Sequence, residues 1–406
     1  MSDTGSKPQI VLGVGGGIAA YKVCELLRRL TESGHEVRVV PTDEALRFVG
    51  EPTWAALSGN PVATGVWDAV HEVPHVRIGQ SADLVFVAPA TANILARAAA
   101  GLADDLLTNT LLTARCPVVF APAMHTEMWE HPATQANVDT LRSRGAVVLE
   151  PAVGRLTGAD SGRGRLPDPV ELFETARRVL RRGAKTPDLS GVRVVVSAGG
   201  TREAIDPVRF IGNHSSGKQG YALARTAAAR GADVTLVAAN VSLPDPAGVR
   251  VVPVSSAVEL AEAVQAERAA ADVIVMSAAV ADFRPTASVP SKIKKSGAAP
   301  APIELVENPD VLAGLVVSRN EEGSSQVIVG FAAETDDVIA NGRAKLARKG
   351  CDLLVVNQVG GGRAFGTEDN QAVVLGADGS AVDIPYGPKE DLADRVWDLV
   401  GERLLR

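Results

Sequence analysis

Short apolar runs punctuate the chain, and few of them alternate with polar residues. The first, "QIVLGV" (Gln9–Val14), ends in glycines. "AYKVCELLRRLTESG" then places its apolar residues at helical spacing, and "HEVRVV" returns to a strand pattern. "ADLVFVAPA" (Ala82–Ala90) and "CPVVFAPAM" (Cys116–Met124) are further apolar runs, each broken by proline. Uniformly apolar strands separated by helices predict a parallel sheet covered on both faces. The pattern then restarts: "GVRVVVSAGG" (Gly191–Gly200) echoes the opening strand and its glycine turn. "ARGADVTLVAA" echoes "ESGHEVRVV", and "AADVIVMSAAVAD" echoes "SADLVFVAPATAN". The expectation is an α/β protein of two doubly wound, Rossmann-like domains, residues 1–183 and 191–406, joined by a polar linker at 184–190.

One segment fits neither period. "FRPTASVPSKIKKSGAAPAP" (Phe283–Pro302) reads as a long loop carrying Lys292, Lys294 and Lys295. Structureless loops of that length are uncommon in compact domains and often serve as lids or binding loops.

Composition narrows the function classes. At 406 residues with 46% hydrophobic content, each domain can bury a core of its own. A formal charge of −7 argues against a nucleic-acid binder, so an anionic ligand must be met by local cations or backbone amides. Cys24, Cys116 and Cys351 lie too far apart for a metal-ligand spacing. The beginning of the chain lacks the apolar centre of a signal peptide, and no apolar run reaches membrane-spanning length. A cytoplasmic protein without nucleic-acid or membrane partners is expected.

The candidate chemistry starts with "GNHSSGKQG" (Gly212–Gly220), which spells the first seven letters of a phosphate-cradling P-loop. Gln219 stands where that motif needs a hydroxyl for Mg²⁺, and "AIDPVRFI" intervenes between strand and glycine, so the P-loop reading fails. Ser216 and Gln219 read instead as a capping box opening the helix "GKQGYALARTAAARG". In the first domain, "GVGGGIAAYK" puts bare backbone between a strand and a helix N-terminus, where a phosphate can approach. Its spacing is not G-x-G-x-x-G, and Thr42 stands where a dinucleotide site places an acidic ribose anchor. A tight turn without a ligand remains an alternative. His71 and His75 have equal claims as a base by composition. On "ANGRAKLARKG", Lys345 and Lys349 share one helical face, either an exposed amphipathic surface or a cationic wall.

Taken together, "GGGIAAYK", "PATAN", "GLADDLLT" and "PAM-x-x-x-MW" resemble the flavin-dependent cysteine decarboxylases. "AGGTREAIDPVRFIGNHSSGK", "AAVADFRP", "KIKK" and "GFAAET" resemble the phosphopantothenate–cysteine ligases. In this order they resemble the bifunctional enzyme family of bacterial coenzyme A synthesis, over nearly the whole chain. The resemblance implies a flavodoxin-like flavoprotein domain followed by a nucleotide-binding ligase domain. It further implies CTP-dependent joining of 4'-phosphopantothenate to L-cysteine through an acyl-cytidylate, with Mg²⁺. FMN-dependent decarboxylation to 4'-phosphopantetheine would follow. FMN would oxidise the thiol, easing loss of CO₂, and the reduced flavin would return the electrons.

Carried over residue by residue, Gly15, Gly16, Gly17, Thr42, Pro89, Ala90, Thr91 and Asn93 match FMN-contacting positions, and His75 matches the essential base. Met124 and His125 match decarboxylase substrate positions, although the family usually carries Asn where His125 stands. "GRLTGADSGRGRLPDP" resembles the substrate flap, but Gly158 occupies the place of the Cys that assists reduction in many members, which leaves Asp160 or Thr157 as proton donor. In the ligase half Asn213 and Lys292 match catalytic positions. Ser277, Ala278, Asp282, Lys292, Asn308, Pro309, Phe331, Lys345 and Lys349 match CTP-binding positions. The implied assembly is a homo-oligomer, a dodecamer built from trimers and dimers. Two other readings stay open: flavin chemistry on a peptide C-terminal cysteine, and a nucleotide-binding module without catalysis.

Overall fold

The computed structural model describes residues 7–63, 73–155, 161–183, 188–294, 302–334, 337–358 and 369–405. The chain forms two compact units, Met1–Thr186 and Pro187–Arg406. His71, Thr157, Gly158, Asp160, Lys295 and residues 184–187 of the expected linker lie outside the described residues.

In the first unit, β1 (Gln9–Val14), β2 (Glu36–Pro41), β3 (Leu84–Ala90), β4 (Val118–Pro122) and β5 (Val147–Val148) form a parallel sheet ordered β2-β1-β3-β4-β5. This is the flavodoxin-like order, with its switch point between β1 and β3. β3 shows why the strands read as unbroken apolar runs, since all seven of its residues are buried. Leu84, Phe86 and Ala88 join a core with Val23, Leu26, Leu27 and Leu30 of the helix Ala20–Glu32. Val85, Val87 and Ala90 point the other way, against Ile94, Leu95 and Leu107. A strand covered on both sides has no polar face to show. β6 (Ala152–Arg155) and β7 (Ser161–Arg165) add an antiparallel hairpin.

The second unit contains β8 (Arg193–Gly199), the hairpin β9 (Arg202–Ala204) and β10 (Phe210–Gly212), then β11 (Asp233–Ala239), β12 (Val249–Val254) and β13 (Val273–Met276). A second hairpin pairs β14 (Phe283–Pro285) with β15 (Leu305–Glu307), and β16 (Val327–Glu334), β17 (Leu353–Gln358), β18 (Asp369–Gly376) and β19 (Ala381–Pro388) follow. The main sheet runs β12-β11-β8-β13-β16-β17-β18-β19. Its first six strands are parallel in Rossmann order, and β18 and β19 are antiparallel additions. Val194, Val196 and Ala198 pack on one side of β8 and Val195 on the other, repeating the two-faced burial of the first unit.

Two sequence expectations need correction. The capping box at Ser216 does not form. The helix spans Lys218–Ala229, and Gly217 caps it in the left-handed region (φ 76°) without a side-chain hydrogen bond. A Cβ on Gly217 would stand 2.6 Å from Val241 Cγ2, so the close passage of two chains requires glycine there. Gln219 is drawn elsewhere: its Nε2 donates to the Lys389 carbonyl (3.2 Å), and its Oε1 accepts from Asn370 Nδ2 (3.1 Å). The segment Phe283–Pro302 is also not wholly aperiodic, because its first three residues form β14. Three-residue strands are too short to display a period of two.

Candidate active sites

Both sheets open a crevice at the switch point, where two neighbouring strands send their connections to opposite faces. In the first unit the backbone itself builds the rim. Gly15 N–H donates to the Pro89 carbonyl (3.1 Å), and a Cβ on Gly15 would lie 2.4 Å from that oxygen. Gly17 is different: an added Cβ there meets only Thr91 Cγ2, at 3.9 Å, so its bareness leaves space on the cavity side. The cavity holds about 810 Å³, within the range of cofactor sites, and Gly16, Gly17, Thr42, Pro89, Thr91, Asn93, Met124 and His125 all line it. Gly15 and Ala90 stand behind this wall as its backbone support, the Ala90 carbonyl accepting from Ala123 N–H at 3.1 Å.

Thr42 and Thr91 each cap a helix, accepting from Ala45 N–H and Ile94 N–H at 3.3 Å. A hydroxyl that accepts from a helix amide still has its own O–H to donate. His125 begins the short helix Thr126–Trp129 without a side-chain cap bond, which leaves its exposed imidazole unengaged in capping. Sequence reasoning missed Tyr21, Lys22, Met128, Arg155 and Arg165, which also line the cavity. Burial first, and Arg165 second, lower the Lys22 pKa. The arginines flanking the flap-like stretch were the legible signal for that cationic side.

His75 is placed elsewhere. It lies on the helix Pro74–Ser81, which packs against the helix Leu106–Thr113, and its carbonyl accepts from Thr113 Oγ1 (2.8 Å). It does not line the cavity, and its Nδ1 is buried without a hydrogen-bond partner among the described residues. A buried ring nitrogen left unpaired is costly.

The second unit divides its crevice. One cavity of about 470 Å³ is lined by Ala278, Asp282, Asn308, Pro309, Phe331, Lys345 and Lys349 among others. A smaller one of about 150 Å³ takes Ser277 and Ala278 together with Ser215–Gly220, Asn357, Asn370 and Lys389. The helical face predicted for Lys345 and Lys349 therefore faces a cavity, and both lysines have carboxylate partners. Lys345 Nζ reaches Glu334 at 3.4 Å, and Lys349 pairs with Asp310. Burial opposes the charge on Asp310, but Lys349 and the Ala313 amide bring its pKa below the ordinary value. Asn308 is fixed by donating from Nδ2 to the Ala281 carbonyl (2.8 Å) and accepting from Arg284 (2.9 Å). Asn213 Nδ2 donates to the Val280 carbonyl (3.0 Å), and neither Asn213 nor Lys292 lines these two cavities. The Lys218, Asn357, Asn370 and Lys389 contributions escaped the sequence reading, because chain separation hid that four segments converge. Among the described residues no cluster of three His, Cys, Asp or Glu side chains is arranged for a metal, and no helix is long and apolar enough to cross a membrane.

Comparisons with known proteins divide the chain similarly. Residues 1–181 match the family described as Flavoprotein, and residues 189–404 match the family described as DNA/pantothenate metabolism flavoprotein C-terminal domain. The chain is 60% identical over 403 residues to the coenzyme A biosynthesis bifunctional protein CoaBC of Mycolicibacterium smegmatis, covering 97% of each. It is 61% identical over 400 residues to the protein of that name from Mycobacterium tuberculosis, covering 97% of this chain and 96% of the relative. Among solved structures it is similar to the C-terminal domain of a CoaBC protein. That match has 34% identity and a TM-score of 0.46, covering 54% of this chain and 98% of that one.

Proposed function

The chain belongs to the family of coenzyme A biosynthesis bifunctional proteins, with a phosphopantothenoylcysteine decarboxylase and a phosphopantothenate–cysteine ligase in one polypeptide, and from that premise we propose which residues do what. The first unit is a flavoprotein. FMN is its cofactor, in the 810 Å³ cavity, where it supplies reversible oxidation of the substrate thiol. The cavity's size and the bare Gly16–Gly17 wall at a helix N-terminus support this placement. Thr42 and Thr91 donate their hydroxyls to the cofactor, and Asn93 orients it. His125 takes the substrate carboxylate and Met124 packs beside it. Lys22 and Arg165 favour a phosphorylated substrate over a peptide C-terminal cysteine. The stretch around Gly158 resembles the family's substrate flap, and by that resemblance Asp160 or Thr157 supplies the proton of the reduction step.

His75 is the base, and it serves the cavity of a neighbouring copy. Its unpartnered Nδ1 and its absence from the lining of its own cavity support this. So do Ile18, Tyr21 and Met128, large apolar residues left about half or more exposed around the flavin site. In the second unit Phe210, Phe283, Leu305 and Val306 are exposed on the hairpins β9–β10 and β14–β15, which fits pairing with a second copy. The resemblance implies a homo-oligomer combining trimers and dimers, and the two exposed apolar surfaces support contacts between copies.

In the ligase half, CTP activates the carboxylate of 4'-phosphopantothenate and L-cysteine then displaces the nucleotide. Phe331, Ala278, Asn308 and Pro309 hold the nucleoside end in the larger cavity, and Lys345 and Lys349 exchange their carboxylate partners for phosphates. Ser277 and the amides around Gly217–Lys218 face the polyphosphate in the smaller cavity. Asp282 would be the carboxylate to hold a Mg²⁺, an ion usually bound by one or two carboxylates plus substrate oxygens, and the metal would supply charge neutralisation for the phosphates. Lys292 neutralises charge at the reacting phosphate, and Asn213 steadies the acyl-cytidylate. The observation that carries this reading is a lysine-walled crevice built beside a glycine turn. Pyrophosphate release from the purified chain tests it: with CTP, release beyond one equivalent per site should require both phosphopantothenate and cysteine. Equal rates with ATP would overturn the assignment of CTP.

A further inference from the structure

The buried carboxylate of Asp206 joins two parts of the ligase unit that are far apart in sequence. Asp206 is only 2% exposed and sits in the turn between β9 and β10. Its Oδ1 accepts from Val208 N–H and Arg209 N–H, both at 2.8 Å, which closes the turn. Its Oδ2 accepts from Arg209 Nε (3.0 Å) and Nη2 (2.5 Å), and also from Ile293 N–H at 3.1 Å. Arg209 completes the bridge by donating from Nη2 to the Ile293 carbonyl (2.9 Å). Val289 N–H adds a bond to the Ile205 carbonyl (3.0 Å). Both backbone groups of Ile293 are thus held by the hairpin turn, and the residues on either side of it are Lys292 and Lys294. Arg209 and the amides hold the Asp206 carboxyl well below its usual range, so the clamp is charged at neutral pH.

We propose that Asp206 is a positioning residue for ligation: through Oδ2 it fixes the backbone from which Lys292 acts. A turn needs one acceptor oxygen, and Oδ1 supplies it. The second oxygen is committed to the lysine-bearing segment, 87 residues away. The same hairpin leads through β10 into Asn213, whose side chain is bonded to Val280. One short element therefore sets the positions of both groups assigned to the acyl-nucleotide. This inference rests on the assignment of Lys292 to the ligase reaction.

The two oxygens can be separated by substitution. Asp206→Asn keeps an acceptor for the turn but turns an amide donor toward Ile293 N–H and Arg209. Pyrophosphate release at saturating substrates should fall about 100-fold, the scale of a misplaced reacting group. Trypsin should cleave after Lys292 and Lys294 faster, while flavin colour and decarboxylation of supplied phosphopantothenoylcysteine stay as in the wild type. Ile293→Pro, which removes the donated N–H from the other side and leaves the turn intact, should slow ligation likewise and speed cleavage after Lys294, the bond after Lys292 being closed to trypsin by the proline itself. Wild-type ligation in both variants, or slowed ligation with unchanged cleavage after Lys294, would overturn the clamp. Lys292→Gln is the control. If it ligates normally, the underlying assignment of Lys292 has failed; if it is inactive while Asp206→Asn and Ile293→Pro are normal, only the clamp has failed.

Discussion

The two units open on the same device, a parallel strand running into glycines and then a helix, yet they build unlike cavities. In the first, Ile18, Tyr21, Ile94, Met128 and Leu166 wall a single broad space of about 810 Å³. In the second, the ends of β13 and β16 divide the space into cavities of about 470 and 150 Å³, with Lys218, Lys345, Lys349 and Lys389 around them. A broad slot with an apolar wall and the cations Lys22, Arg155 and Arg165 beside it suits a planar ring system with an anionic tail, whereas two small lysine-lined cavities with fixed amides suit a polyanion. The comparison teaches that the glycine turn gives only access to a phosphate. The side chains that arrive from later strands decide which molecule carries that phosphate.

The sharpest way to break this contrast is to close one cavity without disturbing the fold. Gly17→Val should do so, because an added side chain at Gly17 meets almost nothing but the cavity itself. The purified variant should be colourless and without decarboxylase activity, and pyrophosphate release should be unchanged. A yellow, active variant would show that the flavin lies elsewhere. A smaller loss is expected from His125→Ala. Removing a hydrogen bond to a charged carboxylate should slow decarboxylation about 10- to 100-fold while flavin binding persists. An unaltered rate would remove His125 from substrate binding.

The smallest effect concerns Cys351, fully buried beneath β16 and β17, whose thiol burial pushes up to about 11. An ordinary thiol ionises near 8.5, so the unfolded chain gives up this proton first. Cys351 therefore supports the folded ligase unit below about pH 8.5, and that support declines as pH rises toward about 11. At pH 8 iodoacetamide should leave Cys351 unmodified in the native protein and label it after denaturation, as peptide mapping would reveal. Native labelling would mean that this core opens readily.

Much of the architecture was legible because parallel strands covered on both faces leave long apolar runs, as β3 and β8 do. The antiparallel pair β18 and β19 and the three-residue hairpins carried no such signature. At the sites, Gly16 and Gly17 were readable as bare backbone between a strand and a helix, whereas Thr91 was named only through the resemblance. Lys389 and Asn370 were not, because they reach the smaller cavity only through tertiary packing of the last helix and β18 against the helix Lys218–Ala229. The capping box at Ser216 misled for a related reason. The approach of Val241 selects glycine at the cap, and Gln219 bonds to the C-terminal segment instead. His75 was named as a base only through the resemblance, and its place on the helix Pro74–Ser81, away from the cavity lining, had no signal in the sequence.

One variant tests most directly whether the crevices work independently. Lys292→Gln, given phosphopantothenate, cysteine and CTP, should release no pyrophosphate above background. The same preparation, given phosphopantothenoylcysteine, should remain yellow and evolve CO₂ at the wild-type rate. Loss of colour or of CO₂ evolution in that variant would contradict the account, since a lysine of the second unit would then be shaping the flavin site of the first.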